Sequence, residues 1–398
     1  MLNSLEIKNF RSLERFEVSK LGRVNLIVGK NNSGKSSVLE ALRIYAANAQ
    51  RGVLEEIASG HDEKFRMKEA GREDADASLP FEDLFTGRRF PDDEATMIII
   101  GETVVSDQAL RIEHAIFIET EKTVIESTGE TSTRVLRHRV NKSDALESRP
   151  LQEFNDGPQI DALYITKDNR TSTMRLDARN SRFRPGLEIP GAIPCSVIPT
   201  RFVSIDELAD EWDKIGLTDD KRLVTDALKI IAPEFEELMF VKTAFKTDEQ
   251  FIGGRSFNIR FSRTAMLRMS NFSRPVPLNS LGDGMLRILQ LVLKIFSAKN
   301  GFLLIDEFEN GLHFGVQEKV WALLFELAHK LDIQVFATTH SWDCIESFAK
   351  VAVTRQDIEG VLFRVGKSVR HSDRGQVIAT VFDEEQLYNI TQSDVEVR

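Results

Sequence analysis

Gly29-Lys30-Asn31-Asn32-Ser33-Gly34-Lys35-Ser36 is the stretch on which the fold turns. The apolar run Val24-Asn25-Leu26-Ile27-Val28 precedes it and reads as a buried strand. Val38-Leu39-Glu40-Ala41-Leu42 follows and reads as the start of a helix. Strand, glycine loop and helix, with Lys-Ser at the helix mouth, make a phosphate-binding loop. Gly29 and Gly34 admit torsions that other residues resist, so successive N–H groups can converge on phosphate oxygens. The helix N-terminus adds partial positive charge. Lys35 is expected to bridge the β- and γ-phosphates of ATP, and the Ser36 hydroxyl to ligate Mg²⁺.

Three downstream stretches supply what such a loop lacks. Phe302-Leu303-Leu304-Ile305 is a second buried strand, and it ends in Asp306-Glu307. Beside a phosphate loop, Asp306 fits the acid that holds Mg²⁺, and Glu307 fits the general base for an attacking water. Ile333-Gln334-Val335-Phe336-Ala337 is a third strand, followed by Thr338-Thr339-His340. His340 sits at a strand C-terminus, where α/β sheets bind ligands, and is expected to sense the γ-phosphate. Ser280-Leu281-Gly282-Asp283-Gly284 precedes a helix that is apolar on nearly every face from Met285 to Leu293. Ser280, Gly282 and Gly284 at a helix N-terminus form a second anion cradle. One chain already has a cradle for its own nucleotide. The economical expectation is that the second closes on the γ-phosphate held by another copy.

At these residues the chain resembles an ABC-type ATPase of the SMC/RecF/OLD branch. Ile7-Lys8-Asn9-Phe10-Arg11-Ser12-Leu13 resembles that branch's opening, and Gly29 to Ser37 its phosphate loop. Ile305 to His313 resembles its Walker B and D-loop, and Thr339-His340-Ser341 its H-loop. The nearest likeness is to stand-alone AAA-15/AAA-21 type ATPases, related to the ATPase half of OLD nucleases. The likeness is dense over about the first 50 residues and over roughly 275–350. It implies that Arg11 contacts nucleotide. It also places Asn31, Asn32, Ser33 and Ser37 in the phosphate loop, and has Asn310 and Gly311 communicate across a dimer. The signature Ser-Leu-Gly-Asp-Gly departs from the transporter Leu-Ser-Gly-Gly-Gln and favours the OLD-like side. Gln50 is a Q-loop candidate by position alone.

Lys35 and Asp306 lie far apart in sequence yet must meet at one Mg²⁺. The expected fold is therefore α/β: one discontinuous ABC-type P-loop NTPase domain over 1–398, with an antiparallel β lobe and a short inserted helical hairpin. The nucleotide-binding core is expected from 1–50 and about 255–350, and the lobe and insertion over about 97–200. Alternation in Met97-Ile98-Ile99-Ile100 and in Leu110 to Ile118 predicts the lobe's strands. Residues 51–95 are polar and read as a mobile segment broken by short helix. Ser204-Ile205-Asp206-Glu207 is a capping box opening a helix through Trp212. A second helix from about Lys221 to Ile231 stops at Pro233, so the hairpin spans about 204–240. Residues 351–398 read as two strands and a terminal helix beginning near Asp383. Heptads do not persist, which excludes long coiled-coil arms.

With 398 residues, a net charge of −10 and pI near 5.4, the chain is not a sequence-independent DNA coat. Two arginine clusters stand out: Arg170, Arg175, Arg179, Arg182 and Arg184, then Arg255, Arg260, Arg263, Arg268 and Arg274. They read either as solvated strand and loop faces or as docking surfaces for DNA or an acidic partner. Cys195 and Cys344 lack metal-ligand spacing and fit a reducing cytoplasm. Neither a leader nor an apolar run of spanning length is apparent, so no membrane is expected. The stretch after His340 is too short for the TOPRIM nuclease domain that OLD proteins carry, and no other nuclease constellation is seen. These readings favour an ATPase acting through an ATP-sandwich homodimer or higher oligomer. It would control a separate effector, such as a TOPRIM-type nuclease in defence against phage. A RecF-like DNA-repair ATPase is the alternative. A transporter subunit is disfavoured by the signature and by the Asn9-Phe10-Arg11-Ser12 opening.

Overall fold

The computed structural model describes residues 1–60, 80–103, 107–125, 131–142, 159–176, 189–216, 218, 220–251, 254–370, 373, 375–383 and 386–389. The chain opens with β1 (Leu5–Phe10), β2 (Leu13–Val18) and β3 (Val24–Val28), then the glycine loop and α1 (Lys35–Ala46). After α2 (Arg51–Gly60) come β4 (Ile98–Gly101), β5 (Leu110–Ile125), β6 (Thr131–Val140), β7 (Gln159–Lys167) and β8 (Arg170–Arg175). Next are β9 (Cys195–Ile198), α3 (Ile205–Ile215), α4 (Asp220–Ile231), β10 (Phe235–Phe251), β11 (Gly254–Met269) and β12 (Val276–Pro277). A 3-10 turn over Leu278–Leu281 leads into α5 (Asp283–Phe296). The rest is β13 (Phe302–Ile305), α6 (Phe314–Lys330), β14 (Gln334–Thr339), α7 (Trp342–Thr354), β15 (Gly360–Lys367) and β16 (Val377–Phe382).

The central sheet has the order β16-β15-β3-β14-β13-β9 and is parallel except for β16. Both its faces are covered, so its strands are apolar runs rather than alternating ones. Leu26, Leu303, Ile305, Val335 and Ala337 belong to the core shared with α3 to α7. Ile27, Phe302, Leu304 and Phe336 belong to the core shared with α1 and the antiparallel sheet. Each neighbour along a strand thus serves a different core, as period-2 geometry requires. The antiparallel sheet runs β2-β1-β4-β5-β7-β8, with β6 also on β5. Helix α1 lies between the two sheets with Val38, Leu39, Ala41, Leu42, Ile44 and Tyr45 buried.

The helical hairpin forms, but it ends at Ile231 and not near 240, because Phe235 already opens β10. Ser204 Oγ accepts from Glu207 N at 3.2 Å, and α3 continues past Trp212 to Ile215. Three other boundaries also differ from the expected ones. Cys195–Ile198, expected in the lobe, is a strand of the central sheet, paired in parallel with β13. Its four residues are too few to show a period. Gly254–Met269, expected in the nucleotide-binding core, is instead half of a long ribbon with Phe235–Phe251. Apolar residues at every second position, as in Ala265, Leu267 and Met269, suit a strand covered on one face only. Thirdly, β15 of the C-terminal segment lies directly against β3. The segment after 50 is first a ten-residue helix, α2, and 61–79 lie outside the described residues. Arg179, Arg182 and Arg184 of the first arginine cluster also lie outside them. So does most of the expected terminal helix, of which 386–389 are helical. No helix among the described residues is long and apolar enough to cross a membrane.

Candidate functional site

The carboxyl ends of β3, β14, β13 and β9, adjacent in the sheet, deliver the loop, His340, Asp306-Glu307 and Thr200 to one edge. This is where parallel sheets place ligands. Gly29 and Gly34 take φ of 154° and 104°, and Asn32 takes 60°. A Cβ on Gly29 would sit 2.3 Å from the Val365 carbonyl oxygen, so β15 dictates glycine there. Lys35 is buried, and its Nζ donates to the carbonyls of Gly29 at 2.8 Å and Lys30 at 3.0 Å. The loop is thus pre-shaped around its own lysine. Burial pushes the Lys35 pKa down, opposed by the fields of Asp306, Glu307 and Glu309. Ser33 Oγ is buried without a hydrogen-bond partner, and Ser36 is exposed in the first turn of α1, with Ser37 half-buried beside it.

Across the sheet, Asp306 is held by two hydroxyls. Thr338 Oγ1 donates to Oδ1 at 2.7 Å and Thr200 Oγ1 to Oδ2 at 3.1 Å. The Thr338 hydroxyl also accepts from Glu307 N at 2.9 Å. Glu307 adopts φ 49°, a left-handed backbone uncommon for a non-glycine residue. His340 is half-exposed, with Nδ1 3.1 Å from Glu309 Oε1 and 3.8 Å from Glu307 Oε1. The His340 N–H also donates to Glu309 Oε1 at 3.0 Å. Glu309 thereby fixes both the backbone and the ring of His340.

Sequence reasoning assigned no role to Glu309, Thr200, Thr338 or Arg287. Arg287, on α5, is fully buried and donates to the carbonyls of Pro199, Asp306 and Glu307. The one signal for it was a guanidinium inside a largely apolar helix.

The other candidates lie around this edge. Arg11 Nε lies 3.0 Å from Glu40 Oε2 on α1, so the structure commits it to the loop's helix. Gln50 lies in the turn between α1 and α2, its N–H on Ala47 O. Asn310 Nδ2 donates to Thr200 O, and Gly311 packs on α5 within the same chain. Ser280 is exposed, but its hydroxyl donates to Pro277 O at 2.6 Å, and Gly282 rather than Ser280 is the N-cap of α5. Gly282 is exposed with φ 87°, and Gly284 is half-buried. Neither Ser280 nor Gly282 contacts the chain's own phosphate loop through any hydrogen bond described.

A groove of about 1120 Å³ opens beside the loop. Lys30 to Ser33 line it on one side, with Arg15 of β2 and Arg364, Lys367 and Arg370 from β15 and the turn beyond. Glu17 and Asp373 are its acids. Cations and glycine-loop N–H groups fit a polyphosphate, and the oxygen-only set of Ser36 and Asp306 fits Mg²⁺.

Loop, Walker B acids and the histidine, on a parallel sheet with an antiparallel lobe, define a P-loop ATPase of the ABC type. The chain belongs to the family described as AAA domain, putative AbiEii toxin, Type IV TA system, whose profile matches residues 24–343. An ATP/GTP phosphatase of Helicobacter pylori is 23% identical over 360 residues, covering 88% of each chain. An uncharacterized protein of Methanocaldococcus jannaschii is 47% identical over 45 residues, which are 11% of this chain and 20% of that one. Among solved structures, the SMC head domain from Thermotoga maritima shares 14% identity over 96% of this chain and 99% of that one, with a TM-score of 0.40.

Proposed function

We propose that this ATPase hydrolyses ATP at a site completed by a second copy of the chain, and that closure of the pair controls a separate effector. The observation that carries this reading is the second cradle. Gly282 heads a long buried helix yet faces solvent, while the chain's own loop is already walled by β15 and Lys35. An N-terminal cradle left open in this way suits a phosphate presented from outside.

Within the site, Lys35 exchanges its two loop carbonyls for β- and γ-phosphate oxygens, and its buried charge then meets an opposite one. Ser36 and Asp306 would hold Mg²⁺, which would neutralise charge on the phosphates. Thr200 and Thr338 keep the Asp306 carboxylate oriented. Glu307 takes the proton of the attacking water, and His340, steadied by Glu309, stands beside it.

The effector is best read as a TOPRIM-type nuclease in antiviral defence, this chain having no nuclease activity of its own. The OLD-like motifs support this reading. Glu307→Gln protein should bind ATP, turn over slowly and sediment as a more persistent oligomer with ATP and Mg²⁺. Coexpression with the adjacent gene, followed by pull-down with and without ATP, tests the effector. DNA cleavage by the isolated chain, or an adjacent permease that co-purifies, would overturn it.

A further inference from the structure

Arg287 is 0% exposed. A guanidinium so placed is costly unless its N–H groups are used, and an apolar side chain would fill the same space more cheaply. Its partners are not acidic side chains. Nη1 donates to Pro199 O at 2.8 Å, and Nη2 to Asp306 O at 3.0 Å and Glu307 O at 2.9 Å. Its Nε is buried without a partner. Burial pushes its pKa down to about 10, against the fields of Asp306, Glu309 and Glu307. The guanidinium therefore spans the ends of β9 and β13 and clamps two consecutive carbonyls of the turn that aims the general base. That turn needs holding, because Glu307 sits at φ 49°.

The other end of the connection is equally close. Helix α5 begins at Asp283, so Arg287 lies about one turn inside it. A Cβ on Gly311 would lie 3.6 Å from both Arg287 Cβ and Asp283 O, and one on Gly284 would lie 3.2 Å from Gly311 O. The first turn of α5, Gly311 and the Asp306-Glu307 turn are thus packed into one piece. Close-packed pieces pass on displacement instead of absorbing it.

We infer that Arg287 is a positioning residue that couples the exposed Gly282 cradle to Glu307 of the same chain. Engagement of a partner's phosphate at one subunit thereby sets the base of that subunit's own site. The inference rests on the composite-site reading above, and it adds that the two sites of a pair fire together.

The test uses Arg287→Met and Arg287→Lys in the full-length protein, each also placed in the Glu307→Gln background. With Arg287→Met, kcat should fall about a hundredfold, as for a misplaced catalytic group. ATP affinity should stay within about threefold, and ATP-dependent oligomerisation of the Arg287→Met/Glu307→Gln protein should persist. Arg287→Lys keeps the cation but not the fork, and kcat should fall about tenfold with the same split. If Arg287→Met does not fold, Arg287→Lys carries the test with the same readouts. An unchanged kcat overturns the inference. So does a loss of kcat that merely tracks loss of ATP affinity and oligomerisation, because that marks a purely structural side chain. If the Glu307→Gln protein alone forms no ATP-dependent oligomer, the composite-site reading fails first, whatever Arg287 does.

Discussion

The two glycine turns of this molecule offer the same chemistry in opposite surroundings. Each precedes a helix and presents N–H groups at its N-terminus. The loop at Gly29 to Ser37 is pressed against β15, and Lys35 folds back on it with only 9% of its surface exposed. At Gly282 an added Cβ would meet nothing within 4 Å, and the nearby Ser280 hydroxyl rests on Pro277 O. A phosphate needs donors, charge and exclusion of water. The first turn supplies all three inside one chain. The second supplies donors alone, and in the composite-site proposal its remaining wall comes from a second copy. The comparison teaches that helix N-termini become sites through what closes over them.

The strongest way to break the comparison is to strip the first turn of its charge. Lys35→Ala should lower ATP turnover by about a thousandfold, since oriented electrostatics carries much of the rate in such sites. Phosphate release measured at saturating ATP checks this, and near-normal turnover would mean that the nucleotide binds somewhere else. Comparable in size is Glu307→Gln, expected to lower kcat by roughly 10²–10⁴ while ATP binding is kept. Equilibrium binding of a fluorescent ATP analogue beside a turnover assay separates the two effects.

A mixture sharpens the contrast further. Ser280→Arg blocks the second turn and should be inactive alone, as Lys35→Ala is. In an equal mixture about a quarter of composite sites are intact, so up to about a quarter of wild-type activity should return. Coupling through Arg287 should hold the recovery below that ceiling. The intact site uses Glu307 of the Ser280→Arg subunit, whose own cradle is blocked, so recovery to the full quarter would overturn the coupling. No recovery, together with no ATP-dependent oligomer of the Glu307→Gln protein, would overturn the shared site.

A smaller effect concerns Lys167 of β7, which docks the antiparallel lobe onto the far end of the loop's helix. Its Nζ donates to Tyr45 O at 3.2 Å and Asn48 Oδ1 at 2.8 Å, and it lies 3.8 Å from the Tyr45 ring centroid. Burial pushes its pKa from 10.5 down to about 8, outweighing the attraction of Asp168. Between those values the unfolded chain holds a proton that the folded chain has released. Stability from this group is therefore lowest below about pH 8 and rises with pH up to about 10.5, by at most the linkage slope of one proton. Urea midpoints of wild type should gain on those of Lys167→Met across that window, and parallel curves would refute the assignment. Smallest of all is Arg263→Ala at the root of the ribbon. Arg263 pairs with Asp213 at 2.6 Å and Asp210 at 3.1 Å on α3, both acids largely exposed. Its loss should lower stability by less than about 1 kcal/mol in urea titration, and turnover should not change.

Much of the site was legible because its pieces are contiguous. Lys35 and Ser36, and Asp306 with Glu307, follow apolar runs at strand ends, and a strand's last residue fixes where the next side chains stand. The lobe's strands and the capped helix at Ser204 showed themselves through local period and local hydrogen bonding. The Arg263 cluster was open between solvated face and docking surface, and for Arg263 itself the structure shows pairing within the chain. Thr200 could not be read, because the strand before it is four residues long. The pairing of Phe235–Phe251 with Gly254–Met269 was missed because alternation gives a strand but not its neighbour.

By itself the sequence determined the class: a glycine loop, strand-end acids and a strand-end histidine of a P-loop ATPase, and that one sheet must carry them. Those properties are local, set by torsion, charge and period within a few residues. Only the tertiary structure decided that Glu309 steadies His340, that Arg11 turns to Glu40, and that Arg287 clamps the Glu307 turn. Each of these is a contact between elements distant in the chain, and packing alone brings such partners within hydrogen-bond reach.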